Sequence, residues 1–252
     1  MLSAPRHLPQ SGTVTEFRSP ILIAHRGFPG LRHEHTRSSY DLAIDSGADY
    51  IEPDIVATKD GHLVVRHENE IDGTTDVVEH PEFADRKTTK TIDDVEKTGW
   101  FTEDFTLAEI RTLRTRERIP DVRPHNAELS GEQVLTFDEV IQIAEEGAGR
   151  RGSPVGIYVE TKHPTYFEGI GLNLNDLLID ALERHAPLRG LAHDLVAHVA
   201  HRAGDKQRHV SVPTWLLGYA PNPNQRHGVS QRIFLRSAGS GTRLSNSLSS
   251  GP

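Results

Sequence analysis

The sequence predicts an α/β chain in which strands alternate with helices around a parallel sheet. Three observations carry this. Short apolar runs rich in β-branched residues recur at 21–25, 50–56 and 155–160, the pattern of strands inside a sheet. Stretches with a helical apolar period stand between and after them. Two Thr-x-x-Glu boxes, Thr106 to Glu109 and Thr136 to Glu139, mark helix starts. An open doubly wound sheet and a closed barrel both satisfy this alternation.

Residues 1–20 mix Pro, Ser, Thr and charges without period and read as a flexible arm. Ile21-Leu22-Ile23-Ala24 reads as a strand buried on both faces. Thr36 caps a helix to about Ser46, with Tyr40, Ala43 and Ile44 on one side and Gly47 as its stop. Strands follow at 50–56 and 62–67, joined by a turn at Lys59-Asp60-Gly61. Residues 68–105 are polar, lack a clear period, and read as a long loop or small insertion. Helices start at the two boxes, the second ending near Gly147. A strand at 155–160 and a helix at 173–185 complete the orderly part, which ends near residue 190. The helix carries Leu174, Leu177, Leu178, Ala181 and Leu182 on one face.

Past Gly190 the character changes. Residues 1–190 carry a charge balance of −13 and residues 191–252 one of +5. The last stretch, SAGSGTRLSNSLSSGP, is of low complexity. Only 210–212 and 215–217 look strand-like there, and the spacing of His193, His198 and His201 reads as chance. Residues 191–252 are therefore expected to be an atypical, partly disordered segment.

With 252 residues, 35% hydrophobic and 25% charged, the chain reads as soluble and globular. The net charge of −8 disfavours nucleic acid and anionic membranes as partners. The lack of cysteine excludes disulfides, thiolate metal sites and a cysteine nucleophile. No apolar run is long enough to span a bilayer, so no stable membrane insertion is expected. The first residues have no signal-peptide core, so the expected location is the cytoplasm, or the periplasm or exterior if an N-terminal leader is missing.

The ionisable residues cluster where strands run out. His25 ends the first strand, with Gly27 and Gly30 free to turn sharply and Arg26 offering a cationic fork for a phosphate. A surface His-Arg pair is the plainer alternative. Glu52-Pro53-Asp54 places two carboxylates at i and i+2, hence on one face of a strand, while Ile51 and Ile55 take the other. Such a pair repels unless a cation sits between, and oxygen-only donors suit calcium or magnesium. Pro53 also fits an edge strand with solvated carboxylates. His67 ends the next strand as His25 ends the first, and two such imidazoles fit an acid–base couple. Glu160-Thr161-Lys162 repeats the i, i+2 pattern, either completing a metal site beside an anion-binding lysine or forming a local surface pair. A parallel βα array would gather these strand ends on one face, where a closed barrel builds its chemistry.

The motifs AHRGFPG, HEHT, GADYIEPDIVATKDGHLVVRHE and YVETK, in this order, resemble the glycerophosphodiester phosphodiesterase family over about residues 20–190. The resemblance implies a (β/α)8 TIM barrel, with its barrel portion at 21–190, that cleaves small-molecule glycerophosphodiesters to glycerol 3-phosphate and an alcohol. It implies Glu52, Asp54 and Glu160 as ligands of a divalent Ca2+ or Mg2+. It implies His25 and His67 as general acid and base, and Arg26, Glu34 and Lys162 as substrate-binding residues. Three departures stand out. His33 replaces the family's proline, Glu68 replaces the aspartate after the strand-end histidine, and no further strand ending in Ser-Phe is legible after Lys162. The barrel is therefore expected to be incomplete or aberrant after residue 190. A shifted reading frame near that point would produce such a break, and resequencing there tests it. Two other functions fit the same motifs: a catalytically inactive barrel remnant, and a related barrel phospholipase acting on lysophospholipids.

Overall fold

The computed structural model describes residues 21–185 and the backbone of 195–199. The arm at 1–20 and the strand-like pieces at 210–212 and 215–217 lie outside the described residues.

The sheet is built around one interrupted strand. Residues β2 (Tyr50–Glu52) and β3 (Asp54–Ala57) form a single line broken at Pro53, which has no N–H for the ladder. On one side β1 (Ile23–His25) runs parallel to β2, with His25 opposite Glu52. On that same side β4 (Leu63–Val65) runs antiparallel to β3. On the other side β7 (Gly156–Thr161) runs parallel to both halves, and the Glu160 N–H donates to the Pro53 carbonyl at 3.0 Å. Beyond β7 lies β8 (Leu195–Val199), also parallel. β8 is a strand that the tail's composition did not show.

Helix α1 (Arg37–Asp45) starts as its sequence predicts: the Thr36 side chain accepts from the Ser39 N–H. The short α2 (Leu107–Ile110) and α3 (Pro124–Ala127) lie in the connection to α4 (Phe137–Arg151). Both Thr-x-x-Glu boxes form complete reciprocal caps, at α2 and α4. After β7 come α5 (Pro164–Gly169) and α6 (Leu174–His185). One continuous core joins Tyr40 and Ile44 of α1, Phe137, Val140 and Ala144 of α4 and Leu174 and Leu178 of α6 to Ile51, Ile55, Val65 and Val159 of the sheet. Each such aliphatic side chain contributes about 1.5–3 kcal/mol when fully buried.

Three expectations are corrected. The 21–24 run is not buried on both faces: Ile21, Leu22 and Ile23 are 48%, 54% and 43% exposed. β1 has a neighbour on one side alone among the described residues, and the barrel does not close there. The strand ends are not all delivered by parallel strands, because the 59–61 turn folds β4 back on β3. Helix α4 runs past Gly147 to Arg151, and Gly152 at φ +69° ends it. Gly147 is instead a contact point, where a Cβ would stand 2.8 Å from Ile44 Cδ1.

Residues 68–105, read as a long loop or small insertion, carry structure of their own. Two 3₁₀ turns, Val77–Glu79 and Pro81–Arg86, precede a hairpin of β5 (Thr88–Ile92) and β6 (Val95–Gly99). Asp93 and Asp94 both have positive φ, +48° and +64°, as a two-residue type I′ turn requires. The insertion has its own anchor: Phe83 and Phe105 meet edge to face at 5.1 Å, with the Arg86 guanidinium over both rings. No helix among the described residues is long and apolar enough to cross a membrane.

Candidate active site

The turn after β1 sets the geometry. Arg26 and Gly27 both take left-handed conformations, φ +59° and +90°. A Cβ on Gly27 would stand 2.5 Å from Ser39 Oγ, so only glycine fits. The Arg26 N–H then donates to the Glu52 carboxylate at 2.8 Å. Its guanidinium reaches Asp54 (Nε to Oδ2, 3.2 Å) and Glu34 (Nη1 to Oε2, 3.4 Å).

Parallel pairing brings Glu160 of β7 level with Asp54 of β3. One oxygen each from Glu52, Asp54 and Glu160 lie within 4.8 Å of one another. Glu52 and Asp54 are 3% and 0% exposed, which discards the reading of solvated edge carboxylates. Lys162 Nζ stands 3.0 Å from Asp54 Oδ1 and 2.7 Å from Glu160 Oε1. Glu160 and Lys162 are therefore not a local surface pair.

The two strand carboxylates are driven apart in acidity. Burial and then the Asp54 charge push Glu52 up to about 8. Asp54 feels the same burial, but His35 and Lys162 hold it well below the usual carboxylate range. Burial lowers the pKa of His35, so its neutral ring donates from Nε2 to Asp54 at 3.1 Å and takes the Tyr40 hydroxyl at Nδ1, 2.8 Å away. Glu34 is likewise buried yet kept acidic by His35, Arg26 and Arg118, whose Nε lies 3.1 Å away.

His25 stands at the exposed rim of this cluster. Partial burial of its ring, and then the Arg26 charge, lower its pKa, while Asp54, Lys162 and His67 also act on it. His67 lies just past β4, where the hairpin returns it toward the same cluster, and its Nδ1 is 3.0 Å from Glu68 Oε1. All eight residues singled out in the sequence thus converge on one place. His35, which lies in the HEHT motif but was given no role, joins them, and so do Tyr40 and Arg118, which lie in none of the motifs. His33, at the position of the family's proline, is buried and bonds Thr115 and the Asn126 carbonyl, tying the turn to the α3 region.

The residues fit a hard divalent cation. The donors are oxygens, and burial and the Asp54 charge raise the pKa of Glu52, a cost that a cation between the carboxylates would relieve. The buried Asp54 Oδ1, though close to Lys162, has no aligned hydrogen bond.

A model of the glycerophosphoryl diester phosphodiesterase family matches residues 25–246. A glycerophosphodiester phosphodiesterase of Arabidopsis thaliana is 39% identical over 172 residues, which are 66% of this chain and 44% of the relative. One from Haemophilus influenzae is 33% identical over 174 residues, 66% of this chain and 45% of the relative. The chain thus spans about half the length of the curated relatives it matches. A solved structure from Silicibacter pomeroyi, assigned to the same class of phosphodiesterases, is 19% identical and aligns with a TM-score of 0.50 over 70% of this chain and 57% of that one. That likeness concerns the fold: an α/β barrel of which the described residues form an unclosed part. The family match runs through every member of the cluster from His25 to Lys162, and the chain belongs to the glycerophosphoryl diester phosphodiesterase family.

Proposed function

We propose that this chain hydrolyses glycerophosphodiesters to glycerol 3-phosphate and an alcohol, with Glu52, Asp54 and Glu160 holding Ca2+ or Mg2+. The observation that carries the reading is the convergence of three carboxylates within 4.8 Å, two cations against them and two imidazoles beside them. A bound divalent ion would neutralise phosphate charge and acidify a coordinated hydroxyl. Arg26 and Lys162 sit where they can take the remaining phosphoryl oxygens as charge develops on them. Glu34, fixed between Arg26 and Arg118, presents a carboxylate to glycerol hydroxyls. His25, with its pKa lowered, is neutral at pH 7 and free to accept a proton, and His67 can supply one to the leaving alcohol. The two roles exchange if substrate binds in the opposite sense.

The exposed apolar edge of β1 favours a second reading, an inactive barrel remnant. Release of glycerol 3-phosphate from glycerophosphocholine separates the two. Activity that needs calcium or magnesium, stops with chelator and is lost in His25→Ala is the expected result. No turnover by soluble, cooperatively folded protein would leave the remnant.

A further inference from the structure

Glu68 has three charged or chargeable partners beside the cluster. Its Oε1 lies 3.0 Å from His67 Nδ1. Its Oε2 lies 3.2 Å from His163 Nε2 and also takes the Lys97 ammonium. His163 Nδ1 in turn contacts Asp93 Oδ2 at 2.6 Å. Asp93 and Lys97 belong to the tip and second strand of the β5–β6 hairpin, and His163 directly follows Lys162. The carboxylate therefore joins a candidate acid–base histidine to the insertion and to the end of β7.

The proton positions follow from the acceptors. Partial burial alone would raise the Glu68 pKa, but hydrogen bonds from His163, His67 and Lys97 hold it far below the usual range. An ionised carboxylate only accepts, and although the 3.0 Å approach is not an aligned hydrogen bond, a lone pair on Nδ1 would be repelled there, which favours the hydrogen on His67 Nδ1. The other nitrogen, Nε2, is then the one with a lone pair in the neutral ring. A base takes its proton at Nε2 and an acid gives it from Nε2, while the Nδ1–H stays with Glu68 in both states. This is the service a buried aspartate gives the histidine of a hydrolytic triad. The longer glutamate lets one side chain reach the ring of its own neighbour and still meet His163 and Lys97.

We infer that Glu68 is a positioning residue for His67: it fixes the Nδ1–H tautomer and the ring's direction, and the β5–β6 hairpin holds Glu68 in place through Lys97 and the Asp93–His163 pair. The inference rests on the proposed hydrolase reading for its consequence in catalysis. Its geometric content stands apart from turnover.

The test is ring-nitrogen NMR of metal-free protein labelled with 15N-histidine, with His67 assigned through His67→Asn. At a pH where the ring is neutral, wild type is expected to show Nδ1 protonated and Nε2 bare. Glu68→Ala is expected to give a mixture of tautomers, and Glu68→Asp to restore part of the wild-type ratio. In the assay, Glu68→Ala lowers kcat roughly tenfold or more with KM little changed, a part of the about 100- to 10,000-fold that a positioned acid–base group contributes. A wild-type ring protonated at Nε2 would overturn the inference, and that measurement needs no variant. So would a tautomer ratio that Glu68→Ala leaves alone. A chain that shows the expected tautomers without turnover defeats the hydrolase reading and leaves the positioning role standing.

Discussion

At the scale of single residues, Glu52 makes the sharpest demand. Its carboxyl ordinarily titrates near 4.5 and is pushed up to about 8 here by burial and Asp54. The unfolded chain therefore sheds this proton near pH 4.5 while the folded, metal-free protein keeps it. Stability falls as pH rises across that window and recovers when a cation sits beside the carboxylate. Glu52→Gln removes the penalty, so at pH 8 the metal-free variant should melt higher than wild type. The same variant should lose the rise in melting temperature that calcium or magnesium gives wild type. A calorimetric scan of both proteins with and without metal checks this, and an unchanged metal response in Glu52→Gln would remove Glu52 from the ligand set. Much of this was legible in the sequence, because i and i+2 on a strand share a face whatever the rest of the chain does. Arg118 and Tyr40 were not, and His35 was visible only as a member of HEHT, without its partners. Their contacts depend on a left-handed turn at His35 (φ +59°) and on a loop some 84 residues away from Glu34, which no local spacing encodes.

At the scale of elements, the caps were readable and the hairpin inside the insertion was not. Thr36, Thr106 and Thr136 do what their positions predict because capping is a four-residue event. The β5–β6 hairpin escaped because its strands are largely exposed and carry no alternation. The Asp93-Asp94 turn was the available signal. The hairpin's hold on the site depends on pH. Burial opposes charge on His163, but Glu68 and Asp93 together raise its pKa. That contribution is complete below about 6.5 and fades as pH rises through the higher folded value. Wild type should therefore lose more melting temperature over that range than His163→Asn, which tolerates the residue's positive φ of +51° and keeps only the Glu52 contribution. Parallel melting curves from pH 6 upward would refute the latch. The helix pair gives a second check. Gly147→Ala gains about 1 kcal/mol of helix propensity. It also drives a methyl group to 2.8 Å from the buried Ile44 side chain, and such overpacking costs about 1–3 kcal/mol. A net loss in denaturant melts is expected, and a gain would mean that α1 and α4 can part freely.

At the scale of the whole molecule, the sheet's edge at β1 is the main question. The alternation of strands and helices made the α/β class legible, and the charge break near 190 pointed to an altered second part. The strand Leu195–Val199 was hidden because His198 and the small apolar residues around it show neither a clean alternation nor turn signals. What no reading of local pattern could supply is whether β1 has a neighbour on its outer side. Closed barrels abolish edges, whereas an exposed run of unpaired backbone with apolar side chains invites association. Leu22, 54% exposed, reports on this directly. If the edge is open, Leu22→Lys replaces one solvent-facing side chain by another, and stability should change by no more than about 0.5 kcal/mol. The added charge should also suppress self-association at high concentration, read by light scattering. If strands from elsewhere cover the edge, the same substitution buries an ammonium and the protein should lose several kcal/mol, with a lower denaturant midpoint. The exposure of Ile21, Leu22 and Ile23 predicts the first outcome, and the second would show that the barrel closes over His25.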